Sequence, residues 1–308
     1  KIYSKKPFNA NGDFTFDRST VATRVNKDGY IETVATDTPR LDYPLIDGVV
    51  QDCPSLLLEP VRTNLTTYSE DFSQWTATAS TVIDNNAISP DGTVNASKLT
   101  ENTATSRHEL YGNFAPITSG LTYTFSVFLK NNGVNYVSLV AGNFAHLQIR
   151  STFDLVNGSV TSYDGSATIK KIGDYYLCTA TGICTNTRTM PMVLNLNRNN
   201  LSSGFEYTGD GASGVYVWGA QFELGSYPTS YIPNLATGST TRAAETANGA
   251  GTSAEFNGSE GVIMYEINSN GIDTDYRLLS INDNITSSNF IQFGYVNNST
   301  QLYKQVLF

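Results

Sequence analysis

The sequence predicts an all-β protein, and two observations lead to that prediction. Charged residues make up only 15% of the chain, whereas Tyr and Phe are abundant, with 18 and 15 copies. A long helical protein would contain more Lys, Glu, Leu and Ala. In addition, short stretches of strand-forming residues follow one another at intervals of roughly 8–12 residues, with turn residues between them, which is typical of a sandwich or barrel.

The clearest strand lies at residues 121–129, where one face is predicted to carry the larger side chains and the other face smaller ones. The larger side chains are Leu121, Tyr123, Phe125, Val127 and Leu129. Gly133 follows in a turn, since glycine adopts positive φ at little cost. Only residues 69–74 indicate a helical turn, with Ser69 as its N-cap. Further strands are predicted at residues 135–140, 148–154, 167–172, 175–183, 191–196, 215–224, 261–267, 277–281, 290–295 and 305–308.

The strand at residues 215–224 has a predicted orientation. Alternation places one set of side chains on the buried face, and Gly219, Gln221 and Glu223 on the opposite face, because residues two apart in a strand share a face. The buried set is Tyr216, Trp218, Ala220, Phe222 and Leu224.

With 308 residues the chain is longer than one ordinary domain of about 100–200 residues. Residues 1–63 read as short strands and turns. Residues 64–236 are enough to bury a two-sheet core. Residues 237–308 begin with a linker of small residues and continue as the start of a second β-sandwich, which we expect to be truncated.

Charge and hydropathy exclude several partners. The net charge is −9 and the pI about 4.7, whereas nucleic-acid binding needs clustered Lys and Arg. The sequence has no run of 18 apolar residues and therefore predicts no membrane insertion. No signal peptide is visible.

The three cysteines, Cys53, Cys178 and Cys184, predict free thiols. Cys178 and Cys184 lie on one face of a predicted strand, but six residues separate them by about 20 Å, too far for a disulfide. Free thiols are typical of a protein that folds in a reducing cytoplasm.

Catalytic and nucleotide-binding motifs find little support. Residues 209–214, GDGASG, match G-x-G-x-x-G, but a strand rather than a helix follows, so we interpret them as a loop. The two histidines, His108 and His146, lack the neighbours of a zinc site or a triad. The sequence singles out no pair of carboxylates for glycoside hydrolysis, and we expect no enzymatic activity.

Several segments resemble phage-encoded tail-fibre and head-fibre proteins. The likeness lies at the two edges of residues 13–233, and residues 255–308 look like the opening of a concanavalin- or laminin-G-like sandwich. The matching segments are DFTFDRS at 13–19, ATRVNKDG at 22–29, PRLDY at 39–43, PSLLLEP at 54–60, RTNL at 62–65, YSEDF at 68–72, GAQ at 219–221, Glu223 and TSYIP at 229–233.

This resemblance implies a virion component, assembled in the bacterial host cytoplasm, homotrimeric, and in contact with other virion proteins and bacterial surface glycans. The middle domain resembles the jelly rolls of non-catalytic carbohydrate-binding modules. Such modules often hold a structural calcium ion, for which the candidate oxygen ligands are Asp71, Asp91, Asp210 and Glu223; no other cofactor is expected.

Sugars bind proteins through aromatic faces and planar polar groups, and the candidates are Trp75, Tyr111, Tyr136 and Tyr163. Trp218 is also aromatic, but its neighbours predict a core position. The sequence therefore predicts a non-catalytic fibre or spike that adheres to bacterial polysaccharide. Two alternatives stay open: an accessory binding module of a polysaccharide-degrading enzyme, and a purely structural fibre segment.

Overall fold

The computed structural model describes residues 13–143, 145–200, 203–250, 277–282, 290–295 and 302–307, and the protein is all-β, as predicted. In the described residues one short 3₁₀ helix, Phe72–Gln74, is the only helical element. No described helix is long and apolar enough to cross a membrane.

Eight short strands form the N-terminal segment. Six of them pair with one another in three two-stranded sheets, and the first and the last pair with strands that follow the central domain. The eight strands are β1 (Thr15–Asp17), β2 (Ala22–Val25), β3 (Ile31–Val34), β4 (Arg40–Asp42), β5 (Leu45–Ile46), β6 (Val49–Val50), β7 (Ser55–Leu57) and β8 (Arg62–Asn64).

The central domain contains sixteen strands. They are β9 (Thr76–Thr78), β10 (Ser80–Ile88), β11 (Val94–Glu101), β12 (Thr105–Ser106), β13 (His108–Tyr111), β14 (Ala115–Ile117), β15 (Thr122–Asn132), β16 (Tyr136–Ala141), β17 (Arg150–Asp154), β18 (Ser159–Asp164), β19 (Ser166–Ile172), β20 (Tyr175–Ile183), β21 (Arg188–Met190), β22 (Met192–Asn197), β23 (Tyr207–Thr208) and β24 (Gly214–Leu224).

Twelve of these strands form two six-stranded antiparallel sheets. Sheet I has the order β10-β11-β24-β15-β20-β19, and sheet II has the order β18-β17-β16-β22-β13-β9. The chain passes repeatedly from one sheet to the other, which gives the sandwich its jelly-roll-like character. The central core fills the space between the sheets and includes Phe125, Phe153 and Phe222, all fully buried.

A second apolar cluster lies on the outer face of sheet I, where the N-terminal segment covers it. Ile31 and Leu45 of that segment pack with Phe128, Trp218 and other buried residues of the sandwich. Residues 13–63 are therefore part of the packing of the central domain, because they bury its outer aromatic side chains.

Strand β24 corrects the predicted orientation of residues 215–224. Ser126 pairs with Gln221 and Phe128 pairs with Trp218, so two residues of β24 oppose one of β15. Gly219 has φ +62° at this bulge, a conformation that glycine adopts without steric cost.

The bulge exchanges the two faces of the strand. Val217, Ala220 and Phe222 enter the central core, whereas Trp218 joins the second cluster on the other side. Gln221 and Glu223 lie on the face opposite Ala220 and Phe222, as predicted, and both are buried. Leu224, predicted to be buried, is 47% exposed at the end of the strand.

The predicted helical turn is shorter than expected and has a different cap. The 3₁₀ helix covers only Phe72–Gln74, and the side chain of Asp71 accepts a hydrogen bond from the Ser73 N–H. Ser69 is not the N-cap; its hydroxyl hydrogen-bonds with that of Tyr231 at 2.6 Å.

Residues 237–250, predicted as a linker, pair with the N-terminal segment. Strand β25 (Thr240–Arg242) pairs with β8, and β26 (Thr246–Asn248) pairs with β1. The described C-terminal strands form one antiparallel sheet of β27 (Arg277–Asn282), β28 (Phe290–Tyr295) and β29 (Leu302–Leu307). The strand predicted at 261–267 lies outside the described residues.

The cysteines are free, as predicted. Cys178 and Cys184 are both buried in the central core, and burial raises the pKa of the Cys178 thiol well above its usual value. Cys53 is exposed.

Candidate functional site

The outer face of sheet II is lined mainly by hydroxyl and amide side chains. On β16, Val137 and Leu139 belong to the central core, so Tyr136 and Ser138 point outward, because alternate residues of a strand face opposite sides. The strand register places one row of outward residues across the sheet: Thr78, Glu109, Asn195, Ser138, Thr152 and Thr161.

Three of the four predicted ligand residues lie on this same face. Tyr111, Tyr136 and Tyr163 belong to β13, β16 and β18, and each is partly exposed. Because neighbouring strands are about 4.8 Å apart, the backbones of Tyr111 and Tyr163, four strands apart, are separated by about 19 Å. The face is therefore long enough for an extended ligand.

At one edge of the face, Tyr163 belongs to a polar group. Its hydroxyl donates to Asn200 Oδ1 at 2.9 Å, and Asn200 Nδ2 donates to Thr161 Oγ1 at 2.8 Å. Arg150 pairs with Asp164 at 2.7 Å and lies over the Tyr163 ring at 6.0 Å. These contacts fix the ring and bring amide and charged groups beside it.

Tyr111 lies beside a carboxylate on β13. Its hydroxyl donates to Glu109 Oε2 at 2.5 Å. Burial raises the pKa of Tyr111 to about 12, and the neighbouring Glu109 carboxylate adds to this effect because it stabilises the protonated hydroxyl. Arg107, half-exposed, lies 3.9 Å from both Glu109 and Glu206.

Tyr136 lies opposite Asn197 on one side and Asp154 on the other. Burial alone would raise the pKa of Asp154, but hydrogen bonds from Asn157, Val156 and Tyr136 lower it below its usual value. The Asp154 carboxylate therefore accepts hydrogen bonds both from Tyr136 and from the turn after β17.

The middle of the face is closely packed. Ser138 and Asn197 are fully buried and Asn195 is 2% exposed. The Oδ1 atoms of Asn195 and Asn197 have no hydrogen-bond partner within the described protein. A ligand on this face would therefore contact the partly exposed tyrosine side chains and not the buried central amides.

The two tryptophans are buried and offer no exposed ring. Trp75, a predicted ligand residue, is 5% exposed, and its ring packs against Phe72 at 5.0 Å in the central core. Trp218 is 1% exposed. The sequence favoured Trp75 for exposure because it follows a polar loop, but the 3₁₀ helix turns it inward.

The four calcium candidates do not form one site. Among the described residues, no group of three or more His, Cys, Asp or Glu side chains could hold a metal ion. Each candidate carboxylate instead accepts a hydrogen bond from a Ser or Thr nearby in the chain. The pairs are Asp71 with Ser73, Asp91 with Thr93, Asp210 with Ser213, and Glu223 with Thr229.

The GDGASG segment is a loop before β24, as predicted, and its glycines serve close backbone contacts. A Cβ on Gly209 would lie 2.0 Å from the Asn102 carbonyl oxygen, and one on Gly214 would lie 1.9 Å from that of Leu99. His108 is buried, and its ring nitrogens face the carbonyl oxygens of Ala79 and Tyr207 at 2.5 and 3.2 Å.

Sequence reasoning missed the polar residues that accompany the tyrosines. Glu109, Arg150, Asn195 and Asn197 carry no motif, since only strand pairing brings them to one face. Their alternation with core residues was the available signal, but it does not say which strands are neighbours.

Comparisons with known proteins do not assign the chain to a family. No model of a protein family matches the sequence, and no curated protein matches it at a significant level of similarity.

Proposed function

We propose that this chain is a non-catalytic component of a phage fibre or spike, and that it binds bacterial surface polysaccharide through the outer face of sheet II. The observation that supports the proposal best is the position of Tyr111, Tyr136 and Tyr163 on one polar face. Aromatic rings offer an apolar surface to sugar rings, while amides, hydroxyls and carboxylates bond their hydroxyl groups.

The charges around the face favour an uncharged polysaccharide. Four carboxylates, Glu109, Asp154, Asp164 and Glu206, accompany two guanidinium groups, Arg107 and Arg150. The excess of negative charge disfavours a polyanionic ligand, since like charges at an interface oppose binding. Binding to a neutral polysaccharide should also depend little on salt.

The virion location and the trimeric state are proposed from the resemblance of the sequence edges to fibre proteins. The low content of charged residues agrees with such an assembly, because hydroxyls and amides can be buried between chains without charge pairing. Other virion proteins would then be the permanent partners, and the bacterial glycan the transient one.

Binding of the full chain to a panel of purified bacterial polysaccharides tests the proposal. Replacing one of the three tyrosines by Ala should weaken binding by about 2- to 12-fold, the range expected for one aromatic contact of about 0.5–1.5 kcal/mol. The triple variant should lose binding altogether. Tyr30→Ala is the matched control, because Tyr30 is 46% exposed on the N-terminal segment.

The outcomes separate the alternatives. Loss of binding in the triple variant, with unchanged thermal unfolding and with Tyr30→Ala unaffected, supports the proposal. Binding that survives the triple substitution contradicts the assigned face. A chain that binds no glycan in the panel, as isolated protein and on bacterial cells, contradicts the adhesive function and favours a structural segment.

A further inference from the structure

Five charged side chains form a buried group where the N-terminal segment meets residues 229–245. This group, called here the ion cluster, consists of Arg18, Arg40, Glu59, Arg242 and Glu245, each with a side chain at most 5% exposed. Burying charges is costly unless each one is paired and hydrogen-bonded. Each of the five charges has at least one oppositely charged partner in the cluster.

Arg40 is the centre of the ion cluster and uses all its donors. Its guanidinium binds Glu59 Oε2 at 2.9 Å, both oxygens of Glu245, the Thr23 carbonyl at 2.8 Å and the Ser230 hydroxyl at 2.6 Å. Burial alone would lower the pKa of Arg40, but the carboxylates of Glu245 and Glu59 raise it. Arg40 therefore stays charged in the folded protein.

The remaining contacts join distant parts of the chain. Arg18 Nη1 donates to Glu245 Oε1 at 2.6 Å, and Arg242 Nη1 lies 2.8 Å from Glu59 Oε2. The Glu245 N–H donates to the Glu59 carbonyl at 3.1 Å. Residues separated by as many as 227 positions are thus held within one buried group.

The position of the ion cluster along the chain is specific. In the pairing of β1 with β26, Thr15 lies opposite Asn248 and Asp17 lies opposite Thr246. Arg18 and Glu245 come directly behind the last pair. On the far side of the cluster, β8 pairs with β25, with Arg62 opposite Arg242. The chain therefore enters and leaves the central domain side by side, and the cluster lies behind this junction.

We propose that the ion cluster is a mechanical clamp, which keeps tension between the chain segments before residue 13 and after residue 250 from reaching the sandwich. Tension applied at these two points first separates β1 from β26, because the pulled ends are adjacent. The next contacts on the load path are Arg18–Glu245 and Arg40–Glu245. Only when these break does the load reach β8, β25 and sheet I.

This proposal is independent of the ligand and of the virion assignment. It requires only that the segment before residue 13 and the segment after residue 250 are attached to different bodies, such as a support and a surface. The sandwich then lies outside the load path, and its two sheets keep their geometry under load.

Optical-tweezers stretching of the full chain, with handles attached at residues 13 and 250, tests the clamp, because the sheet of β27, β28 and β29 then lies outside the load path. The wild type should open in a first step that releases roughly 57 residues, or about 200 Å of contour length, before the sandwich unfolds. In Glu245→Gln, which removes the Glu245 carboxylate from both Arg18 and Arg40, the rate of this step at constant force should rise by about 100-fold or more. The force that unfolds the sandwich should not change.

Lys130→Met is the matched control, because it breaks the exposed Lys130–Asp174 pair, 2.9 Å, outside the ion cluster. Should Glu245→Gln fail to fold, Ser230→Ala provides the milder variant, since the Ser230 hydroxyl accepts from Arg40 Nη1 of the ion cluster at 2.6 Å. It should speed the first step in the same direction. A first step that neither variant changes, or a sandwich that unfolds before it, would overturn the proposal.

Discussion

Trp218→Ala is the substitution that most clearly separates a structural from a ligand-binding tryptophan. Trp218 is 1% exposed, and its ring lies 5.3 Å from that of Phe128 and 4.7 Å from that of Tyr231. Its Nε1 has no hydrogen-bond partner within the described residues, so the substitution removes packing alone. Replacing a buried Trp by Ala costs about 3–5 kcal/mol.

For a domain of this size, that loss should lower the melting temperature by roughly 6–20 °C. Thermal unfolding followed by circular dichroism measures the shift, and polysaccharide binding at 20 °C is measured on the same preparation. We expect a large fall in melting temperature with binding retained below the transition. An unchanged melting temperature together with lost binding would refute the assignment of Trp218 to the second apolar cluster.

The fold supports two further predictions, and the resemblance to fibre proteins supports a third. Gly219→Ala should lower the free energy of unfolding by about 1–2 kcal/mol in urea titrations, because its φ is +62°. Buried in the ion cluster, Glu59 has a pKa that burial alone would raise but that Arg242 and Arg40 lower below its usual value. Its stabilisation is therefore fully present above the usual pKa of a glutamate and is lost as the pH falls through the lowered value. The difference in unfolding free energy between wild type and Glu59→Gln should accordingly shrink in acid. Light scattering on the full chain should give three chains, and a monomer at micromolar concentration would count against the trimer.

The sequence was sufficient to predict the all-β class and most strands, because alternation is a local property. Tyr123, Phe125, Val127 and Leu129 enter the central core, as their spacing predicted. Leu121, predicted on the same face, lies just before β15 and is 40% exposed. The bulge at Gly219 could not be predicted in the same way. It depends on how β24 pairs with β15, and one inserted residue sends Trp218 and Phe222 to opposite sides.

The candidate site shows the same limit. The tyrosines were predicted as ligand residues from their chemistry, but their common face depends on the order of strands in sheet II. The ion cluster was not predicted, since Arg18, Arg40 and Glu245 are far apart in the chain and buried charged residues are rare.

Oxidative footprinting of tyrosine side chains, with and without a saturating neutral polysaccharide that the chain binds, tests the central claim most directly. Hydroxyl radicals label accessible rings, and mass spectrometry locates the labels. We expect Tyr111, Tyr136 and Tyr163 to lose reactivity when the ligand is bound, and Tyr30 to keep it. Protection confined to tyrosines outside the face of sheet II would contradict the claim that this face binds the glycan.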